Sequence, residues 1–283
     1  MKRIFPIIAL LTLLAASCQD VVDIETDEIT RSLNVYGAID DTSGTTVSLS
    51  ITNSYFEQAG NPTIDDAEVY LFEDGVAVGQ LNSLGTDGRY ELDYQGELGR
   101  SYHLEILLPD SYGLPVEWRS QPEELKRVFA PDSFSTRFLD RTTVPAVFDE
   151  GQWALLYFTE PAGLGDNYRI RRWLNDSLFT QEFFIFDDQN FDGANFGGQF
   201  PAFTIYGPLE PGDSMKIEIS SLSGSYYEYL SLVNEQVFQI GGPFDPPPSP
   251  IVGNIYNADD PEDYGYGYFF ATSRRFDQLL TKP

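Results

Sequence analysis

The sequence predicts an all-β protein: an N-terminal immunoglobulin-like or transthyretin-like β-sandwich, followed by a second β-rich domain that carries one α-helix. Two observations support this fold class. Short runs place apolar residues at every second position, as in residues 45–52, where Val47, Leu49 and Ile51 share one face. Turn sequences such as Glu73-Asp74-Gly75 separate the runs. Short strands at this spacing are typical of a sandwich.

The first sandwich is predicted over residues 32–120. His103 falls on the polar side of its last strand, so we interpret it as an exposed strand residue; a catalytic role is the alternative. The strand-like runs of this half are 33–39, 45–52, 67–71, 76–81, 89–94 and 101–108.

A second domain is predicted over residues 121–283, after the polar sequence 120–124. Strand-like runs cover 153–159, 168–174, 178–186, 200–206 and 214–220. A helix is predicted at about 225–240, because Ser225 and Glu228 have capping-box spacing. Its apolar stripe is formed by Tyr226, Leu230, Val233, Val237 and Ile240. This stripe favours a helix packed on the second sheet, with a membrane or partner helix as the alternative.

Residues 1–17 have the pattern of a lipoprotein signal peptide. Lys2 and Arg3 precede an apolar run over 4–14, which is too short for a membrane-spanning helix of about 20 residues. The run ends in Leu14-Ala15-Ala16-Ser17-Cys18, which is similar to a bacterial lipobox. We therefore expect cleavage before Cys18 and lipidation of its thiol. The alternative is an ordinary signal peptide that happens to contain a cysteine.

An acidic tether is predicted over residues 18–31. Five acidic residues follow the cysteine within it: Asp20, Asp23, Glu25, Asp27 and Glu28. Such a run is solvated and extended. It resembles the export signal of lipoproteins displayed on the outer face of the outer membrane. A plain linker in the periplasm is the alternative.

Composition excludes several classes of function. The chain of 283 residues has a formal net charge of −27, so it repels phosphate backbones and we expect no nucleic-acid partner. It holds one cysteine and one histidine, which leaves little for a zinc site or a Ser-His-Asp triad. No phosphate-binding, nucleophile-elbow or zinc-protease motif is found. We expect a protein that is not an enzyme.

One loop has the spacing of a calcium ligand set. Asp188, Asn190 and Asp192, followed by Gly193, match the first half of a calcium-binding loop. The twelfth position is Gln199 instead of the usual glutamate, which weakens the match. The alternative is a hairpin turn, in which Asp, Asn and Gly are favoured for backbone reasons. Apart from this Ca²⁺, no cofactor is expected.

A tyrosine stripe near the C-terminus is a candidate binding platform. Tyr264, Tyr266 and Tyr268 alternate with Gly265 and Gly267, so the three rings share one face of a predicted strand. The glycines lie on the opposite face, where they allow another backbone to approach closely. The alternative is a sheet face that the helix covers.

An ordered set of motifs resembles a known family. In the N-terminal half these motifs are Gly88-Arg89-Tyr90 and Gly99-Arg100-Ser101-Tyr102. In the C-terminal half they are the helix start at 226–230, the sequence 242–247, Gly253-Asn254-Ile255 and an aromatic last strand. They occur in the order that this family shows. The chain resembles the Bacteroidota outer-membrane lipoproteins of domain of unknown function 4249. The resemblance implies location and fold without an activity, and suggests an association with TonB-dependent transporters.

Three functions follow as hypotheses. The first is a lipid-anchored binding or accessory subunit of an outer-membrane protein, on the cell surface. The second is a module that binds a glycan or peptide through exposed aromatic residues. The third is a hydrolase that uses two carboxylates, for which 44 acidic residues give no selective evidence.

Overall fold

The computed structural model describes residues 31–53, 60–142, 144, 149–180, 183–238 and 250–280. The predicted signal peptide, Cys18 and all of the tether except Arg31 lie outside these residues. The strands of the described part are β1 (Leu33–Asp40), β2 (Gly44–Ile51), β3 (Glu68–Glu73), β4 (Val76–Gln80), β5 (Asn82–Ser83), β6 (Arg89–Leu92), β7 (Ser101–Leu107), β8 (Glu117–Ser120), β9 (Glu123–Glu124), β10 (Pro131–Leu139), β11 (Gly151–Thr159), β12 (Asn167–Leu174), β13 (Ser177–Leu178), β14 (Phe184–Asp187), β15 (Asn195–Phe196), β16 (Phe203–Leu209), β17 (Ser214–Leu222), β18 (Ile255–Asn257), β19 (Tyr266–Thr272) and β20 (Arg274–Leu280); the α-helix is α1 (Gly224–Phe238).

The first sandwich consists of two sheets around one apolar core. One sheet has the order β19-β1-β2-β6-β5, and the other has the order β18-β8-β7-β3-β4 with β9 added beside β7. Val35, Leu49, Leu104 and Trp118 are among the fully buried residues that the two sheets bring together. The alternating pattern of the sequence places these side chains inward, so the all-β prediction is confirmed.

Two strands of this sandwich come from the far end of the chain. β19 pairs with β1 in parallel, and β18 pairs with β8. They add Ile255, Phe269 and Ala271 to the first core. Strand pairing therefore does not follow chain order. The domain boundary between residues 120 and 121 stays a prediction.

The second sandwich packs two further sheets together. One has the order β10-β11-β15 with β16 beside β11, and the other has the order β13-β12-β17-β20 with β14 beside β12. Phe158, Tyr168 and Ile217 are fully buried in its core. Phe129 stacks on Phe158 with ring centroids 3.9 Å apart, so aromatic contacts supply much of this core.

The helix lies against both sandwiches. Tyr226 and Leu230 are buried in a cluster with Tyr268 and Phe270 of the first sandwich and Leu222 of the second. Later positions of the predicted stripe leave this contact: Val237 is 56% exposed, and Ile240 lies outside the described residues. No helix of the described part is long and apolar enough to cross a membrane.

The N-cap of the helix lies two residues earlier than predicted. Ser223 is the N-cap, because its Oγ accepts the N–H of Tyr226 at 3.1 Å. The capping box predicted at Ser225 and Glu228 is therefore wrong. The side chain of Ser225 instead donates to Glu123 at 2.8 Å, a partner 102 residues away that no local pattern reveals.

Ion pairs and a short corner join the sandwiches. β19 and β20 are separated only by Ser273, so one sheet passes directly into the other. Arg274 pairs with Asp40 at 3.1 Å and Arg275 with Asp41 at 2.8 Å. Burial would raise the pKa of Asp40, but hydrogen bonds from Ser43 and the charge of Arg274 outweigh it and lower that pKa. Asp40 therefore joins the two sandwiches as a carboxylate.

Glycine is required where β19 crowds its neighbours. A Cβ on Gly267 would overlap the carbonyl of Val35, and one on Gly253 would overlap the carbonyl of Gly267. Gly267 also has φ of +86°, a conformation that side chains disfavour. The close backbone approach predicted at Gly265 and Gly267 is confirmed, because a Cβ on Gly265 would lie 2.9 Å from the carbonyl oxygen of Leu33.

Candidate functional site

A cleft lies between the start of α1 and the segment 252–254. Its volume is about 480 Å³. We call it the tyrosine cleft, after three of its lining residues. Tyr229, Tyr264 and Tyr268 line it with Asn254 and the carboxylate of Glu123.

Glu123 is a buried polar group of the tyrosine cleft, with 2% of its surface exposed. Its carboxylate accepts hydrogen bonds from the hydroxyls of Ser223, Ser225 and Tyr268, the last at 2.8 Å. Burial raises the pKa of Glu123, and the three hydroxyl bonds oppose that rise only in part. Among the described residues no cation pairs with it, so hydroxyl groups alone stabilise its charge.

The structure separates the three tyrosines of the predicted platform. Tyr268 is buried under α1, with ring centroids 4.7 Å from Tyr226 and 4.9 Å from Tyr229, as the alternative of a covered sheet face predicts. Tyr264 is 39% exposed and Tyr266 is 51% exposed. Tyr266 lines a neighbouring cavity of about 590 Å³, so the rings do not form one continuous surface.

The tyrosine cleft offers aromatic surface beside hydrogen-bond acceptors. Such a mixture suits a polar, uncharged ligand that stacks on a ring and donates hydrogen bonds, such as a sugar or a peptide. The nearby Glu228 adds a second carboxylate to the lining, so an anionic ligand is disfavoured. Sequence reasoning missed Glu123, because only the pairing of β9 with β7 brings it here.

A second candidate is an acidic cluster at the end of β11. Carboxylate oxygens of Glu160, Asp188 and Asp192 lie within 4.8 Å of one another. Two of these residues belong to the predicted calcium set. The third, Glu160, was missed because it lies 28 positions earlier in the chain. Asn190, the remaining member of the predicted calcium set, is exposed.

Hydrogen bonds already occupy the oxygens of this cluster in part. Asp188 accepts the backbone N–H of Gly165 at 2.9 Å, and Asp192 accepts that of Gly163 at 2.5 Å. Glu160 accepts the N–H of Gly193 at 2.6 Å. Burial raises the pKa of Glu160, and the charges of Asp166 and Asp188 add to this rise. The cluster has the oxygen donors that could hold a cation, and it also fixes the backbone of two loops at three positions.

The single histidine lies on the face of β7 opposite the core, as predicted, but it is not the exposed residue that the sequence suggested. His103 stacks on Phe72 with ring centroids 4.8 Å apart. It is half-buried, and this burial lowers its pKa. Its contacts with neighbouring strands account for its position.

These features define the molecule as an all-β protein of two sandwiches, joined by the corner between β19 and β20 and by a helix, with a tyrosine-lined cleft beside that helix. A family model, Domain of unknown function (DUF4249), matches residues 19–276. The chain belongs to this family. No curated protein is similar enough in sequence to count as a match.

Proposed function

We propose that the protein is a non-enzymatic lipoprotein of the outer membrane, anchored through Cys18 and exposed on the cell surface, where it serves as a binding or accessory subunit of a membrane protein. The observation that carries the proposal is the position of the only cysteine, directly after an apolar leader and small residues. Lipidation at this position supplies membrane affinity through buried methylene groups.

The extent of the family match supports this processing site. The match begins at residue 19, directly behind the cysteine, so the matched region begins where the leader would be removed. The acidic residues that follow favour an extended tether. The body itself has its two sandwiches tied by ion pairs and a one-residue corner, which suits a protein that presents fixed surfaces.

Lipidation is tested by growing the source cells with a clickable palmitate analogue. The natural protein should acquire the label and remain with membranes, whereas Cys18→Ser should lose the label and stay in its precursor form. Mass spectrometry of the natural protein identifies the modified residue. An unmodified sulfur on Cys18, or an intact leader, contradicts the anchor.

The partner is tested by purification from detergent-solubilised outer membranes. We expect a stoichiometric membrane protein to accompany the natural chain; the family resemblance suggests a TonB-dependent transporter. Chemical crosslinking before solubilisation preserves a weak complex. Repeated recovery of the chain alone, with and without crosslinking, contradicts an accessory role.

A glycan- or peptide-binding module is the second candidate, because Tyr264 is exposed beside the tyrosine cleft. Binding on a glycan or peptide array should then be lost in Tyr264→Ala and kept in Tyr70→Ala. Tyr70 is a matched control, since it lies on β3 and its hydroxyl bonds Glu68. Equal binding by both variants excludes the cleft.

A further inference from the structure

The second sandwich contains a strong local reversal of charge. The three neighbouring strands β12, β17 and β20 hold six of the chain's 17 lysines and arginines, but only two of its 44 acidic residues. The six cations are Arg169, Arg171, Arg172, Lys216, Arg274 and Arg275. Arg274 and Arg275 pair with Asp40 and Asp41, and the other four cations still exceed the two acidic residues of these strands in a protein with a net charge of −27.

Strand alternation divides these side chains between the two faces of the sheet. Ile170 and Ile217 point into the second core. Residues one position away point outward, so Arg169, Arg171, Trp173, Lys216 and Phe276 share the outer face. We call these five residues the cationic face. The helix reaches the other end of this sheet, where Leu222 packs against it.

Cations and aromatic rings alternate along the cationic face. Arg171 and Lys216 each lie 5.0 Å from the ring of Trp173, and Lys216 lies 5.6 Å from that of Phe276. Phe276 is 49% exposed. Such stacking holds the cations in place. Lys216 is exposed, and 32% of the Arg171 side chain is exposed.

Within the part of the chain that the structure describes, two of the three cations have no acidic partner. Arg171 lies 3.5 Å from the buried carboxylate of Glu218. Arg169 stacks on Phe183 at 4.7 Å, and Lys216 contacts only rings; within the described ranges neither pairs with a carboxylate. A cavity of about 350 Å³, with Tyr36 and Arg169 in its lining, adjoins the face.

We propose that the cationic face binds an acidic segment of a partner protein, with carboxylates against Arg169 and Lys216 and apolar side chains against Trp173 and Phe276. This inference rests on the proposed function, since it specifies the surface and the chemistry of the partner. Charge complementarity selects the occupant: a short acidic segment meets the local positive field. An extended anionic surface would also meet the negative remainder of the molecule.

The test uses the purified full chain and a defined probe, a fluorescein-labelled peptide of about twelve residues rich in glutamate and leucine. Its anisotropy should rise on titration with protein, and binding should weaken with added NaCl. A peptide with glutamine in place of every glutamate should bind at least about tenfold more weakly. Vesicles with anionic lipid serve as a competing class of ligand.

Two variants locate the binding. Lys216→Glu and Arg169→Gln should each weaken binding of the acidic peptide by about tenfold. Arg137→Glu is a matched control, because Arg137 is an exposed cation on β10 of the other sheet. The affinity of this variant for the acidic peptide should stay within about twofold of wild type. Circular dichroism and melting temperature confirm that each variant is folded.

The opposing outcomes are distinct from failure of the proposed function. Three results would overturn the assignment of this face: the acidic peptide shows no saturable binding, Arg137→Glu loses as much peptide affinity as the two face variants, or anionic vesicles bind more tightly than the peptide. If a membrane partner copurifies equally with wild type and Lys216→Glu, the accessory role stands and the face is wrong. If the peptide binds as expected but no partner copurifies, the face stands and the accessory role fails.

Discussion

At the scale of single residues, Glu123 makes stability depend on pH. Burial raises the pKa of its carboxyl above the ordinary 4.5, so the folded chain holds this proton to a higher pH than the unfolded chain. The stability it contributes is complete below 4.5 and is lost as pH rises through the folded pKa. Ionisation of Glu123 therefore destabilises the fold at neutral pH.

We expect Glu123→Gln to remove this dependence. Gln can still accept hydrogen bonds from Ser225 and Tyr268. Relative to wild type, the unfolding free energy of the variant should therefore increase as pH rises above 4.5. Denaturant titrations at several pH values measure the difference. Glu228→Gln is the control, because Glu228 is exposed on the same helix and should show no such trend. A difference that is constant across pH would contradict the argument.

The acidic cluster tests the calcium hypothesis. If Glu160, Asp188 and Asp192 hold Ca²⁺, millimolar calcium should raise the melting temperature relative to EDTA. Asp192→Asn should abolish that rise, since it removes a charge but keeps an oxygen to accept the N–H of Gly163. Asp110→Asn, in a surface turn, should respond like wild type. An unchanged melting temperature in calcium would show that the cluster only fixes loop backbone.

At the scale of secondary-structure elements, the start of α1 depends on Ser223. Its hydroxyl caps the helix and contacts Glu123, so Ser223→Ala should cost about 1–2 kcal/mol of unfolding free energy. Glu228→Gln should change it by less than about 0.5 kcal/mol, because Glu228 does not act as a capping residue. Thermal and denaturant unfolding measure both. Equal losses of unfolding free energy in the two variants would instead support the capping box predicted at Ser225 and Glu228.

The turns were more predictable than the helix start, because their chemistry is local. Asp74 and Gly75 adopt positive φ of 49° and 81° between β3 and β4, as an Asp-Gly hairpin requires. Asn175 and Asp176 do the same between β12 and β13. By contrast, Ser223 differs from Ser225 only through contacts made by the folded chain.

At the scale of the whole molecule, the first sandwich depends on both ends of the chain. Without β18 and β19, strands β8 and β1 would each lose a neighbour, and the core would lose Ile255 and Phe269. Unpaired edges and exposed apolar area destabilise a small sandwich.

A fragment of residues 32–120 should therefore not fold on its own. The only tryptophan of the fragment is Trp118, which is 1% exposed in the full chain. In an unfolded fragment the emission of Trp118 should shift to the red, and heating should produce no cooperative transition in that emission. The full chain provides the folded reference. A blue-shifted emission with cooperative melting would instead support the domain boundary predicted at residue 120.

The sequence by itself determined the fold class, the hairpin turns and the close approach at its C-terminal glycines, because alternation and turn chemistry act over a few residues. It also brought two acids of one loop to attention, since Asp188 and Asp192 are near neighbours in the chain. Only the tertiary structure decided that Glu160 joins them, that Glu123 meets the helix start, and that β19 pairs with β1. Those contacts span tens to hundreds of positions, and they form because apolar faces far apart in sequence are buried together.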